Sequence, residues 1–142
     1  MKIILGSDHG GYNLKNIIIA HLEQQGIEVE DLGCYSEDSC DYPTIAKAVA
    51  EKVLLTGSRG ILVCGTGIGM SISANKFKGI RASLCSDTYS ARMTRKHNDS
   101  NILCLGERVV GHGLALDIVD TWLVTEFEGG RHKRRVDMLE LG

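Results

Sequence analysis

Four short, almost continuous apolar runs constrain the fold of this chain more than any other feature. They have the length of β-strands and lie at 2–7, 60–65, 80–85 and 101–106. Such runs are typical of parallel strands that are covered on both faces, whereas a half-exposed strand alternates apolar and polar residues. A shorter, alternating run at 27–33 predicts a fifth strand nearer to an edge of the sheet.

The segments between these runs have the period of amphipathic helices. Gly26 is placed to end the first helix, and Pro43 to begin the second. Shorter helices are predicted at 67–76 and 87–96. Strand and helix therefore alternate, which predicts an α/β fold with a parallel sheet of about five strands and helices on both faces. The apolar stripes that carry this prediction are Leu14, Ile17, Ile18, His21 and Leu22; Ile45, Val49 and Val53; and Leu114, Ile118, Trp122 and Leu123.

Composition excludes several classes of protein. The 142 residues suit one domain, 1–142, and a net charge of −2 gives no reason to expect nucleic acid as a partner. No apolar stretch reaches the roughly 18 residues of a membrane helix, and no signal peptide is evident. The five cysteines are odd in number and form no Cys-x-x-Cys pair, so we expect neither a zinc site nor a disulfide framework. Reduced thiols in a cytoplasmic protein are the simplest expectation.

Two glycine-containing loops follow predicted strands, where ligands of parallel sheets bind. They are "GSDHGG" after the first strand and "CGTGIG" after the third. Gly65, Gly67 and Gly69 open a helix, so their N–H groups and the helix dipole favour an anion, including a thiolate at Cys64. The alternative is that Cys64 is a buried residue at a strand end and that the glycines serve only a tight turn.

Three chemistries suit a thiol beside an anion site. A dinucleotide site requires Gly-x-Gly-x-x-Gly after the first strand, and a cysteine phosphatase requires Cys-x5-Arg; both patterns fail at Met70. The third is proton transfer next to a carbonyl, in which a thiolate acts as base and N–H groups stabilise an enediolate. This aldose–ketose isomerisation needs no metal and no cofactor.

Four polar residues outside the thiol loop each have two interpretations, one functional and one structural. Asp8 and His9 lie at the first strand end, where they either contact a ligand or form a helix cap and a solvated histidine. His97 and Asn98 in "RKHND" either donate to sugar oxygens or merely end a helix.

Three arginines are candidates for binding phosphate. Arg108 comes just after the fifth strand, and Arg131 and Arg135 in "RHKRR" lie four residues apart, hence on one face of a helix. Two arginines on one face suit bidentate phosphate recognition, although a basic run is more often a solvated surface.

With these residues in view, the chain closely resembles the type B ribose-5-phosphate isomerases, whose family includes the galactose-6-phosphate isomerase subunits. The resemblance runs from end to end and rests on "GSDHGG", "CGTGIGMSISANK", "RKHN", "GERV" and the arginines of "RHKRR" in family order. It implies a Rossmann-like, doubly wound sheet with a C-terminal helical tail. It also implies a homodimer, with a tetramer left open, whose active sites are shared across the interface. Which subunit supplies each arginine is left open as well.

The resemblance also implies roles for individual residues. Cys64 is the base that moves a proton between C1 and C2, Thr66 is a second catalytic residue of its loop, and His97 is the acid that opens the sugar ring. Some relatives use a glutamate at position 70, where this chain has methionine, so Cys64 is the only candidate base in the loop. The implied substrate contacts are Asp8, His9, Tyr42, Gly65, Gly67, Ile68, Gly69, Asn98, Arg108, Arg131 and Arg135.

We therefore expect a cytoplasmic isomerase that interconverts ribose 5-phosphate and ribulose 5-phosphate. The alternatives are an isomerase of a six-carbon sugar phosphate, such as allose 6-phosphate or galactose 6-phosphate, and a non-catalytic module that binds a sugar phosphate.

Overall fold

A computed structural model describes residues 1–141 and shows a parallel sheet between two layers of helices. A short 3₁₀ turn, His9–Gly11, precedes the first helix. The strands are β1 (Lys2–Ser7), β2 (Glu28–Asp31), β3 (Arg59–Cys64), β4 (Ala82–Leu84) and β5 (Ile102–Gly106). The helices are α1 (Tyr12–Gln24), α2 (Tyr42–Thr56), α3 (Ile68–Ala74), α4 (Thr88–Asn98), α5 (His112–Val124) and α6 (Arg131–Leu139).

The sheet has the order β2-β1-β3-β5-β4, and every pair of neighbouring strands is parallel. The chain turns to one side of β1 to form β2 and then crosses to the other side to form β3. The crevice beyond the ends of β1 and β3 is therefore the topological switch point, where ligands of such sheets bind. The predicted α/β fold with five parallel strands is confirmed, and α6 is the predicted C-terminal helical tail.

Alternate residues of the central strands face two separate cores. Ile61 and Val63 of β3 point toward α1, α4 and α5, whereas Leu62 and Cys64 point toward α2 and α3. Both faces of these strands are covered, which is why their sequences are continuously apolar. Along the described residues, no helix combines the length and apolar character needed to cross a membrane.

The fourth strand is shorter than its apolar run suggests. Only Ala82–Leu84 of the predicted 80–85 pair with β5, and Leu84 is 41% exposed. β4 is an edge strand with one neighbour, so the prediction of full coverage is wrong there. Leu114 is likewise 42% exposed although its helix was predicted to bury it.

The expectation that all five thiols are reduced is also wrong. Cys34 and Cys40 form a disulfide, while Cys64, Cys85 and Cys104 are free. The two bonded residues lie only six positions apart and close one loop between β2 and α2. The odd number and scattered spacing of the cysteines did not predict this pair. A disulfide that closes a single loop needs only two nearby cysteines and no regular spacing of the others.

Candidate active site

Cys64 is the last residue of β3 and lies at the switch point with 5% of its surface exposed. Its Sγ accepts a hydrogen bond from the backbone N–H of Gly67 at 3.0 Å. Gly67 has a φ of +80°, and a Cβ there would lie 2.5 Å from the Leu84 side chain and 3.0 Å from the Leu105 backbone. Glycine is therefore required at position 67 to turn the chain tightly enough for its N–H to reach the sulfur.

The other two free thiols have different surroundings. Burial, with a smaller contribution from Asp87, raises the pKa of Cys85 to about 11. Complete burial raises the pKa of Cys104 well above its usual range, with a smaller effect from the neighbouring Cys64 and Cys85. Both remain protonated at neutral pH, so neither is suited to act as a base.

The first loop lies directly beside the thiol loop because β1 and β3 are neighbours. The backbone N–H of Asp8 donates to the carbonyl of Val63 at 3.3 Å, and a Cβ on Gly10 would lie 3.2 Å from the nitrogen of Gly65. Asp8 also caps the 3₁₀ turn, since its Oδ1 accepts from the N–H of Gly10 at 2.9 Å. The capping interpretation of Asp8 is thus correct and is compatible with a ligand contact through its second oxygen.

His9 is exposed at the same edge and is held by the disulfide loop. Its Nδ1 accepts a hydrogen bond from the backbone N–H of Cys40 at 3.2 Å. The solvated-histidine interpretation therefore omits a specific contact. Nothing in the sequence predicted it, because 31 residues separate the partners.

Tyr42 and Arg108 complete this group. The Tyr42 ring lies against Gly69, where an added Cβ would come within 2.8 Å of the ring. The backbone N–H of Arg108 donates to the carbonyl of Gly65 at 3.0 Å, and Nη1 of its guanidinium lies 3.5 Å from a Cβ built on Gly65. We call Asp8, His9, Tyr42, residues 64–69 and Arg108 the thiol cluster.

Two further residues of the loop have contrasting positions. Thr66 is exposed and its Oγ1 accepts from the N–H of Ile68 at 3.3 Å. Met70 is fully buried in the same apolar core as Cys64. Position 70 therefore provides no proton-transferring group to this edge, which leaves Cys64 as the base candidate of the loop.

The remaining predicted residues form a second group, which we call the α4–α6 groove. His97, Asn98 and Arg135 line a groove of about 300 Å³ together with His132, Val136 and Leu139. Arg131 is the exposed first residue of α6. A larger groove of about 410 Å³ runs along 75–83 and shares only Asn98 with the predicted site.

The α4–α6 groove and the thiol cluster lie at opposite ends of the strands. The thiol cluster is at the carboxyl ends, and the groove is near the amino ends. Asn98 ends α4 just before β5, and the first residue of β5, Ile102, pairs with Gly60 near the start of β3. Cys64 is four residues further along β3, a distance of about 13 Å. A single chain therefore does not bring His97 or Arg135 to the thiol.

The groove contains two residues that the sequence did not single out, Glu128 and His132. The rings of His97 and His132 are stacked, with centroids 4.3 Å apart and 13° between the planes. Burial lowers the pKa of His132, and the nearby charges of His97 and Arg131 lower it further. In the sequence, His132 looks like one more basic residue of "RHKRR". Only the packing of α6 on α4 shows that it stacks on His97.

Comparison with known proteins identifies the family of this chain. The model of the family described as "Ribose/Galactose Isomerase" matches residues 3–139. Ribose-5-phosphate isomerase B of Escherichia coli (strain K12) is 52% identical over 141 residues, covering 97% of this chain and 93% of that protein.

Solved structures are equally similar. Ribose-5-phosphate isomerase B of Clostridium thermocellum has a TM-score of 0.98 and 58% identity, covering 99% of this chain and 96% of the other. The Mycoplasma genitalium enzyme, solved with bound ribulose-5-phosphate, has a TM-score of 0.94 and 43% identity, covering 99% and 94%.

Fold and site thus define a sugar-phosphate isomerase of the α/β class. This chain belongs to the ribose/galactose isomerase family.

Proposed function

We propose that this chain interconverts ribose 5-phosphate and ribulose 5-phosphate, with Cys64 as the base. The observation that carries the proposal is the Cys64 sulfur at the switch point, 3.0 Å from the N–H of Gly67, in a chain 58% identical to a ribose-5-phosphate isomerase B. Substrate class is supported by the relative solved with ribulose-5-phosphate.

The chemistry requires one base and a stabilised anion. Cys64 removes the proton from C2 of the open-chain aldose, and the electron pair moves onto the carbonyl oxygen to give an enediolate. Backbone N–H groups at the start of α3 stabilise the negative oxygen, with Thr66 beside them. Return of the proton from the sulfur to C1, together with transfer of the hydroxyl proton from O2 to O1, gives the ketose, so no electrons leave the system and no cofactor takes part.

A second copy of the chain completes the site in this proposal. His97, Asn98, Arg131 and Arg135 lie at the wrong end of the strands to serve Cys64 of their own chain, so a partner chain supplies them. An apolar surface beside the thiol cluster supports a homodimer, because Ile68, Ile72 and Leu84 are 51%, 57% and 41% exposed. Exposed apolar patches of this kind mark interaction surfaces.

The shared site is tested by mixing two impaired variants, assayed at a ribose 5-phosphate concentration well below the KM of Arg135→Ala. Cys64→Ala lacks the base and Arg135→Ala lacks part of the phosphate site. In a refolded equimolar mixture, half of the dimers contain one of each, and each has one intact site. We expect recovery of roughly a quarter of the wild-type activity. A mixture no more active than its components would show that each chain supplies its own base and arginine.

The reaction itself is tested by exchange with solvent. Ribose 5-phosphate incubated in deuterated water should gain deuterium at the reacting carbon with the wild-type protein and with Cys85→Ala, but not with Cys64→Ala. Binding of ribose 5-phosphate should change only a few-fold in Cys64→Ala, because a base acts mainly in the transition state. A module that only binds sugar phosphate would give no exchange with any variant.

The six-carbon alternative has its own measurement. The family description covers galactose as well as ribose. Turnover of ribose 5-phosphate should exceed that of allose 6-phosphate and galactose 6-phosphate. The reverse order would make this chain a hexose-phosphate isomerase with the same mechanism.

A further inference from the structure

Three metal-ligating atoms converge in the α4–α6 groove, and no step of the isomerisation uses them together. They belong to His97, Glu128 and His132, and all lie within 4.8 Å of one another. Nε2 of His97 lies 3.6 Å from Oε1 of Glu128, and Nε2 of His132 lies 3.5 Å from the same oxygen. We propose that these three side chains form a binding site for a zinc-like divalent transition metal, which inhibits the enzyme.

The distances suit coordination better than hydrogen bonding. Separations of 3.5 and 3.6 Å are too long for ordinary hydrogen bonds between a ring nitrogen and a carboxylate. Zinc bonds of about 2.0–2.1 Å place tetrahedral ligand atoms about 3.4 Å apart. The two measured edges are thus close to the tetrahedral value. Because the two rings are stacked only 13° from parallel, their Nε2 lone pairs do not meet at one point, and binding requires the half-exposed His97 ring to turn out of the stack.

Three chain segments hold the ligands in place. Glu128 lies in the segment before α6, and its backbone N–H donates to the carbonyl of Lys96 at 3.1 Å, next to His97. His132 is in the first turn of α6, 9% exposed, while the side chains of His97 and Glu128 are 43% and 49% exposed. Two anchored ligands and an open side leave the fourth position to water, as in open zinc sites.

The ligand types select the metal. Imidazole nitrogens favour zinc, nickel and copper over magnesium and calcium, which prefer oxygen. Arg131 and Arg135 oppose a cation held by charge alone, so affinity here depends on coordination to nitrogen.

Inhibition follows if His97 serves catalysis, and this part rests on the proposed function. A histidine bound to zinc through Nε2 has no proton to donate from that atom. Metal binding itself does not depend on the isomerase assignment, so the two parts can fail separately.

Binding is measured on the chelator-stripped protein with Zn²⁺ in competition with a chromophoric chelator. We expect one Zn²⁺ per chain, with His132→Gln and Glu128→Gln each weakening it by more than the roughly 10–100-fold typical of an outer-shell partner. His112→Gln, at an exposed histidine of α5, should bind normally. Because Glu128 is half exposed, its variant reports on the metal even if His132→Gln destabilises α6.

Co²⁺ then identifies the ligands. It should give the visible bands of a tetrahedral site without the thiolate charge-transfer band that Cys64 would produce. Unchanged Zn²⁺ affinity in both variants, or a thiolate band, would overturn the site.

Activity separates the remaining possibilities. Zn²⁺ should inhibit ribose 5-phosphate isomerisation reversibly, a chelator should restore it, and Glu128→Gln should be resistant. Binding without inhibition would support the metal site and contradict the role of His97.

Discussion

The backbone N–H of Cys40 donates a hydrogen bond to Nδ1 of His9, and Cys40 is itself joined to Cys34 by a disulfide. An accepting Nδ1 carries no proton, so the neutral His9 ring has its proton on Nε2. That N–H is then available to donate to a substrate oxygen. A loop between β2 and α2 thus determines which ring nitrogen of His9 carries the proton that the proposed substrate contact would use.

Opening the disulfide should release His9. Treatment with dithiothreitol converts Cys34–Cys40 to two thiols, and Cys40→Ser removes the cross-link permanently. We expect KM to rise a few-fold with little change in kcat, and nitrogen NMR of the His9 ring to show a mixture of tautomers. His9→Asn should not respond to reduction. An unchanged His9 spectrum after reduction would mean that the loop keeps its place without the bond.

Thiol chemistry should distinguish Cys64 from the other two free cysteines, Cys85 and Cys104. At pH 8 a thiol with the pKa of Cys85, about 11, is ionised to roughly one part in a thousand. Because a raised thiol pKa suppresses the thiolate until the pH approaches it, labelling of Cys85 should rise steeply between pH 8 and 11. We expect iodoacetamide at pH 8 to modify Cys64 first, with loss of activity and protection by ribose 5-phosphate. Peptide mass mapping reports each site, and prior labelling of Cys85 or Cys104 would contradict this order.

The phosphate role of α6 is tested with a neighbouring arginine as control. Arg135 lines the α4–α6 groove, whereas Arg134 does not. Arg135→Ala should raise KM by roughly 10- to 150-fold, the equivalent of about 1.5–3 kcal/mol for a charge-assisted hydrogen bond. Arg135→Lys should recover only part, because an ammonium lacks the planar fork. Equal KM values for Arg134→Ala and Arg135→Ala would make the basic run a solvated surface.

Under the proposed mechanism, we expect ring opening by His97 to be separable from proton transfer by Cys64. Ribose 5-phosphate is mostly a closed ring, whereas ribulose 5-phosphate arrives open because its 5-hydroxyl is esterified. We expect His97→Asn to slow isomerisation of ribose 5-phosphate much more than proton exchange of ribulose 5-phosphate with solvent. Cys64→Ala should lose both. Equal losses in His97→Asn would instead place His97 in the proton-transfer step.

A buried ion pair under the disulfide loop should matter for stability. The Lys15 side chain is fully buried, and its Nζ donates to both oxygens of Asp31 at 2.9 and 3.0 Å and to the carbonyl of Cys34. Asp31→Asn leaves a buried ammonium without its counter-charge, so the free energy of unfolding should fall. The upper bound is the about 3–5 kcal/mol of a fully buried pair, because the Asp31 side chain is 29% exposed.

The matched control is the exposed pair Lys133–Asp137, 2.8 Å apart on α6. Asp137→Asn should change the free energy of unfolding by no more than about 1 kcal/mol. Urea denaturation measures both variants. A loss in Asp31→Asn no larger than in Asp137→Asn would show that Lys15 is stabilised by its carbonyl contact alone.

Periodicity was sufficient to predict the central sheet, because β1, β3 and β5 are covered on both faces and their residues record that coverage. The prediction of the strand's length and coverage failed at β4. The apolar run covers 80–85, but β4 lies at the edge of the sheet with one neighbouring strand, and only 82–84 form the strand. The same limit applies to long-range contacts. Neither the bond from Cys40 to His9 nor the stacking of His132 on His97 leaves a periodic trace in the sequence.

The sequence was sufficient to predict which loops contain the candidate site residues. It was not sufficient to predict that these residues form two groups far apart in one chain. Cys64 is the last residue of β3 and Asp8 directly follows β1, so a parallel sheet brings them to the same end of the strands. The last turn of α4 returns to the other end, because a helix that follows a strand runs back along it. Residue spacing alone does not show that His97 and Cys64 lie at opposite ends of the strands; strand pairing and helix direction do.

The thiol cluster and the α4–α6 groove lie at opposite ends of the strands. Under the proposed shared site, activity therefore requires two chains to associate. Each folded chain then supplies Cys64 to one active site and His97 to the other. Activity per milligram would depend on dilution, falling as chains separate while the circular dichroism of the sheet and helices stayed unchanged. Dilution would thereby abolish activity without unfolding the chain.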